Sequence, residues 1–228
     1  MKIAAFDTSS KALTLAILED ETLLAQMTLN IKKNHSITLM PAIDFLMNSL
    51  DMKPKDLDRI VVAQGPGSYT GLRIAVATAK TLAHTLKIEL VGVSSLLALV
   101  PEQAEGLVIP IMDARRNNVY AGFYQSGQAV RPEAHLPLAE VLEMAGAANQ
   151  PVTFVGETAA FAEQIESALP QAAIQPTLPD AAVIGRLGLD LPAQSIHDFV
   201  PNYLKRVEAE ENWLKTHQES SDSYIRRL

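Results

Sequence analysis

The sequence predicts an α/β fold made of two related units, each a mixed β-sheet with helices packed on its faces. Three observations carry that reading. Strand-like and helix-like stretches alternate through the first half of the chain, the pattern of sheets covered by helices. One arrangement occurs twice: an apolar strand ending in Asp, a short polar turn, and a second strand. Ile3-Ala4-Ala5-Phe6-Asp7 leads to residues 13–18, and residues 107–112 with Asp113 lead to residues 119–124. Finally, a glycine-rich turn joins a β-branched run to an alanine-rich helical pattern. The repeat is one of pattern and not of residues, so two unrelated hairpins stand as the alternative at this point.

Taken in order, residues 2–7 and 12–18 read as strands around the turn Asp7-Thr8-Ser9-Ser10-Lys11, and residues 22–30 as a third. Leu39, Ile43, Leu46 and Met47 recur at helical spacing and place a helix over 36–50. Pro41 sits about one turn inside it, where it removes one hydrogen bond. Residues 60–63 form a strand, 72–86 a helix, 90–93 a strand, and 94–99 open another helical stretch. In the second half, 107–112 and 119–124 are strands around the polar turn Ala114-Arg115-Arg116-Asn117-Asn118. Residues 152–155 are a strand, 158–169 a helix and 181–189 a shorter helix. Pro, Ala and Gln recur between 145 and 195 and mark loops. An acidic helix is predicted over 207–217, before a polar end. The units are therefore 1–104, 105–200 and a terminal segment, 201–228, packing back on the first unit.

Composition excludes several classes of function. The 228 residues are enough to bury a sizeable core. There are no cysteines, hence no disulfide framework, Cys-based zinc site or Cys nucleophile. No apolar run approaches the ~20 residues of a membrane span, and the start of the chain lacks the basic-then-apolar layout of a signal peptide. A cytoplasmic location is expected. The net charge is −7, from 19 basic and 26 acidic residues. Such a chain is a poor match for phosphate backbones on its own, so a partner should supply most of the positive charge if RNA is involved.

The segment Gly65-Pro66-Gly67-Ser68-Tyr69-Thr70-Gly71-Leu72-Arg73 is the strongest candidate site. Glycines at a strand-to-helix turn permit unusual backbone angles and leave amides bare at a helix start, where anions can sit. The ending Gly71-Leu72-Arg73 lacks the Gly-Lys-Ser/Thr of a P-loop, and the acidic partner of a dinucleotide fingerprint is missing. Arg73 opposes the helix dipole; a partner carboxylate or a phosphate would remove the conflict, and simple solvation is the alternative. Asp7, Thr8 and Ser9 can hold hydrated magnesium and phosphate oxygens, or can be ordinary turn residues. Gly65, Gly67, Ser68, Asp113 and Arg115 join them as nucleotide- or phosphate-adjacent candidates. His35 stands at the start of the first helix, with no second His at i+4 to share a metal. Ser68 lacks the Gly-x-Ser-x-Gly setting of a hydrolase nucleophile. Leu72, Val76, Ala75, Ala79 and Ala83 give the glycine-loop helix a smooth apolar face. That face and the Leu39, Ile43, Leu46, Met47 stripe suit either the chain's own core or a partner interface.

These motifs, together with His35-Ser36, Leu39-Met40-Pro41-Ala42-Ile43, Asp113-Ala114-Arg115 with Val119-Tyr120, and Pro201-Asn202-Tyr203-Leu204-Lys205, make the chain resemble the TsaB (YeaZ) family of bacterial tRNA threonylcarbamoyladenosine biosynthesis proteins. The resemblance spans nearly the whole chain in order, and residues 126–195 carry little of it. It implies an actin-like fold of the sugar-kinase/Hsp70 type with two related α/β subdomains. It implies a part in forming N6-threonylcarbamoyladenosine at position 37 of tRNAs that read codons starting with A. It further implies a heterodimer with a metal-dependent paralogue, TsaD, joined by the ATPase TsaE, with ATP and metal on those partners and tRNA reached through the complex. His35, Leu39, Ile43, Leu46, Met47, Leu72, Arg73, Val76, Ala79 and Ala83 would then form the partner face, and the isolated chain could pair with itself. The paralogue carries a His-x-x-x-His pair after the strand that follows the glycine-loop helix; the corresponding positions here are Ser95 and Leu99. An M22-type peptidase and a nucleotide-binding enzyme of the same fold are the alternatives. The first needs a metal or nucleophile site, and the second needs nucleotide to bind through Asp7–Ser10 and residues 113–116.

Overall fold

In the computed structural model, which describes residues 1–31 and 34–205, β1 (Lys2–Asp7), β2 (Leu13–Glu19) and β3 (Thr22–Leu29) form an antiparallel meander. α1 (His35–Ser49) follows, with the Asn34 side chain accepting from the Ser36 amide at 3.1 Å as its N-cap. β4 (Arg59–Gly65) then adds parallel to β1. α2 (Tyr69–Leu86) starts three residues earlier than the sequence suggests, capped by Ser68, and β5 (Glu89–Ser94) adds parallel to β4. The sheet order is β3-β2-β1-β4-β5.

The second half repeats this construction. β6 (Leu107–Asp113), β7 (Asn118–Gln125) and β8 (Gln128–Pro137) are an antiparallel meander. α3 (Leu138–Gly146) leads to β9 (Val152–Gly156), which adds parallel to β6. α4 (Ala162–Ala168) leads to β10 (Ala173–Pro176), parallel to β9. Counted from the first strand of each half, both sheets have the order 3-2-1-4-5. A shared strand order with shared parallel and antiparallel pairings is what a duplication leaves behind, and it establishes the actin-like, sugar-kinase/Hsp70 architecture of two related α/β subdomains.

Alternation along the strands separates two cores per sheet. Ala4, Phe6, Leu15, Ile17, Ile60 and Val62 face α1 and α2, while Ile3, Ala5, Ala16, Leu18 and Val61 face the opposite way. The opposite face is covered by α5 (Ala181–Leu187), through Ala181, Ala182 and Ile184. This corrects the expected boundary of the second unit at residue 200: the chain recrosses to the first lobe after β10. Arg59 fastens the return, donating from Nη1 to the carbonyls of Gly188, Leu189 and Leu191 at 2.5, 2.7 and 3.1 Å.

Between the lobes lies a fourth cluster. Leu96, Leu99 and Val100, just after β5, pack on Val108, Met112, Tyr124 and Val155 of the second sheet. Beside it, the Glu133 carboxylate accepts hydrogen bonds from the Ser94 and Tyr124 hydroxyls, so one buried-edge acceptor ties the two sheets together.

Three further sequence expectations are revised. The helical stretch over 94–99 shrinks to a single 3-10 turn, Leu97–Leu99, and the helix over 158–169 to α4. β10 stands where loops were expected, and β8 and α3 lie where the sequence reading assigned no element. The helix over 207–217 lies outside the described residues.

Candidate functional site

The two repeated strand–Asp–turn–strand units face one another across an interlobe cleft of about 420 Å³. Ser9, Ser10 and Lys11 of the β1–β2 turn line it, with Gly67, Ser68 and Tyr69 of the glycine loop. Asp113, Ala114 and Arg115 of the β6–β7 turn face them, and Tyr120, Glu157 and Lys205 complete the wall. A second cavity of about 490 Å³ adjoins it, sharing Ser10, Lys11, Met112, Asp113 and Glu157.

The glycine loop is held against the β1–β2 turn by close backbone packing. The Ser68 amide donates to the Ser9 carbonyl at 2.7 Å, and the Thr8 hydroxyl donates to the Gly71 carbonyl at 2.8 Å. A Cβ at Gly71 would lie 2.0 Å from the Thr8 carbonyl oxygen, and one at Gly67 2.5 Å from that of Ser9. Gly65, at φ +132°, would place a Cβ 2.4 Å from the Asn202 carbonyl oxygen. The glycines therefore serve close approach of three backbone segments. The Ser68 amide and hydroxyl are both engaged, the hydroxyl accepting from the Gly71 amide at 3.3 Å.

Of the candidates read from sequence, Ser9, Gly67, Ser68, Asp113 and Arg115 converge on the cleft. Asp7, Thr8 and Gly65 lie buried behind it. Asp7 accepts from the Ser9 amide at 2.6 Å and the Ser9 hydroxyl at 3.0 Å. Burial pushes its carboxyl up to about 6, against the opposing pull of those bonds. Asp113 accepts from the Arg115 amide at 2.8 Å and meets the Arg115 guanidinium at 3.6 Å, while its own amide donates to Glu157 at 2.9 Å. Lys11, Tyr69, Tyr120 and Lys205 stood in the sequence motifs without an assigned role, and Glu157 was not read from the sequence. Glu157 had a legible signal, a carboxylate directly after Gly156 at the end of a strand.

The partner-face residues need correction. Leu39, Ile43, Leu46, Met47, Leu72, Val76, Ala79 and Ala83 are buried in the chain's own core between the first sheet and α1 and α2. Core and interface demand the same apolar spacing, and here the core has taken it. The outward side of α1 carries instead Ile37, Met40 and Phe45, exposed by 68, 47 and 59%. His35 is half-buried, its Nε2 bonded to the Ser10 carbonyl at 3.0 Å, and it pins α1 to the β1–β2 turn. Arg73 stays exposed, and its Nη1 donates to the Tyr69 hydroxyl at 2.9 Å.

Among the described residues no group of three His, Cys, Asp or Glu is placed to hold a metal ion. No described helix is long and apolar enough to cross a membrane. Ser95 is wholly buried, with no hydrogen-bond partner on its hydroxyl, and Leu99 sits in the interlobe core.

Residues 22–213 match the family model described as TsaD: tRNA N6-adenosine threonylcarbamoyltransferase. The tRNA threonylcarbamoyladenosine biosynthesis protein TsaB of Bacillus subtilis is 42% identical over 227 residues, 95% of this chain and 99% of the relative. The Escherichia coli protein of the same description is 29% identical over 129 residues, 55% of each chain. The solved structure of YeaZ from Pseudomonas aeruginosa superposes with a TM-score of 0.75 at 26% identity, covering 89% of this chain and 99% of that one.

Proposed function

Because the chain belongs to the TsaB (YeaZ) family, we propose that it is the non-catalytic, activating subunit of the assembly that forms N6-threonylcarbamoyladenosine in tRNA. It pairs with a TsaD-like paralogue that holds the metal and carries out the transfer, and a TsaE-like ATPase joins them. ATP and metal belong to those partners, tRNA is engaged by the complex, and the work is done in the cytoplasm.

The observation that carries this reading is the content of the place where the paralogue has its His pair. Ser95 and Leu99 fill it, one a buried hydroxyl and the other an alkyl group in the interlobe core. Neither fits a divalent metal ion, which needs imidazole, thiolate or carboxylate ligands. A chain that keeps the two-lobed scaffold without those ligands is suited to supporting chemistry done elsewhere. The outward face of α1, with Ile37, Met40 and Phe45, supplies an apolar surface for the partner. In isolation the same face serves a second copy of the chain.

The test is threonylcarbamoyl transfer to tRNA, reconstituted from the paralogue, the ATPase and the threonylcarbamoyl-AMP donor, with and without this chain. Modification should depend on the chain, and the chain alone should be inactive. Full activity without it, or activity by the chain alone, would overturn the assignment.

A further inference from the structure

We propose that the mouth of the interlobe cleft is a contact surface for single-stranded RNA, carried by this chain itself. The inference rests on the tRNA-modification reading above and deepens it, because it assigns part of the RNA contact to a defined patch of an acidic protein.

Stacking area comes first. Tyr69, at the start of α2, and Tyr203, on the segment that follows α5, stack with ring centroids 5.1 Å apart and planes inclined by 27°. Both remain largely exposed, at 47 and 41%. The pair therefore presents partly exposed aromatic rings to solvent beside the cleft that Tyr69 lines.

Positive charge surrounds that surface. Arg73 lies over the Tyr69 ring, its guanidinium carbon 5.5 Å from the centroid. Lys11, Arg115 and Lys205 line the cleft next to it. Among the described residues Lys11, Arg73 and Lys205 have no carboxylate at salt-bridge distance. The two acidic groups of the cleft are engaged by backbone amides, Asp113 accepting from the Arg115 amide and Glu157 from the Asp113 amide. Cations without acidic partners are therefore concentrated at this mouth, in a chain whose net charge is −7.

Aromatic platforms interleaved with cations are what sequence-tolerant single-strand binding uses: unpaired bases stack on the rings and phosphates meet the cations. Duplex is disfavoured, since its bases are already stacked on one another. The cleft, about 420 Å³ and open to solvent, has room for one nucleotide of a strand running across the mouth. The occupant is thus an unpaired loop of tRNA.

The test uses the full chain assembled with its TsaD-like partner and measures affinity for labelled tRNA across a salt series. Tyr203→Ala should weaken binding about five- to ten-fold, as expected for one lost stacking contact, and Tyr203→Trp should restore it. Lys11→Ala combined with Lys205→Ala should flatten the dependence of log affinity on log salt by about 1.4, near 0.7 per lost phosphate contact. Co-elution with the partner should be unchanged in every variant. Unaltered tRNA affinity and salt slope would overturn the proposal. So would loss of co-elution, which would make the patch a protein interface, or ATP binding by the chain that vanishes in the same variants, which would make it a nucleotide pocket. If tRNA modification proceeds without this chain while the variants still weaken RNA binding, the subunit role fails and the RNA surface stands.

Discussion

Asp7 carries its carboxyl wholly buried, bonded within its own turn to Ser9. Burial raises it from the ordinary 3.8 to about 6. A carboxylate raised on folding contributes stability that is full below its unfolded value and is lost as pH climbs through about 6. The full loss is about 3 kcal/mol at most. Asp7→Asn should therefore melt several degrees higher than the native chain at pH 7.5 and remove part of its decline between pH 5 and 7.5. A variant that melts lower at pH 7.5 would mean that the fold requires the ionised form. A second pair of residues separates core from surface on the two helices. Val76, 4% exposed, should not tolerate Glu, because a charge would be buried without a counter-ion. Val76→Glu is expected to lose at least about 4 kcal/mol by denaturant titration. Phe45→Glu should fold normally and lose the partner, as measured by co-elution. If Phe45→Glu keeps the partner, the outward face of α1 is not the interface. At this scale the sequence exposed the chemistry but not its direction. Asp7, Ser9 and Asp113 were legible as strand-end polar residues. Which of them faces the cleft depends on the packing of the glycine loop, and that is set by contacts distant in sequence, as between Thr8 and Gly71, 63 residues apart.

The elements near the cleft are fixed by backbone approach more than by side chains. Gly71→Ala must push α2 away from the β1–β2 turn, since its Cβ would meet the Thr8 carbonyl oxygen at 2.0 Å. The expected cost is about 2 kcal/mol or more, with faster amide exchange in the first turn of α2, measurable by hydrogen–deuterium exchange. Unchanged stability and exchange would show that the loop yields freely. The strands β1, β2 and β4 of the first sheet were legible because both their faces are buried, so their residues are mostly apolar. β8 was not. It is an edge strand whose ten residues include Pro132 and are mostly exposed, and its pairing with β7 slips register twice. An edge strand with irregular pairing has no reason to alternate, and its sequence does not. α3, by contrast, carried a readable stripe in Leu138, Val141 and Ala145, but at nine residues it was too short to be read as a helix.

Across the whole molecule, the lobes are joined by an apolar cluster and by one shared acceptor. Glu133 receives both the Ser94 and the Tyr124 hydroxyl. Burial, reinforced by the neighbouring Glu133 charge, holds the Tyr124 phenol well above its usual value, so it stays protonated and donating. Glu133→Ala should leave two hydroxyls poorly satisfied, lower stability by about 2 kcal/mol, and raise amide exchange at β5 and β8 together. Exchange that rises in β8 alone would mean that the carboxylate does not couple the lobes. The duplication was visible in sequence through the paired strand–Asp–turn units, whereas the return of α5 to the first sheet was not, because nothing local in an apolar heptapeptide says which of two sheets it will cover. That return sets an order of events during synthesis. The face of the first sheet formed by Ile3, Ala5, Leu18 and Val61 has no cover until Ala181–Leu187 has been made and released. The first lobe is encoded first and finished last. A nascent chain halted after β10 should display that bare sheet face to hydrophobic-surface dyes and to chaperones.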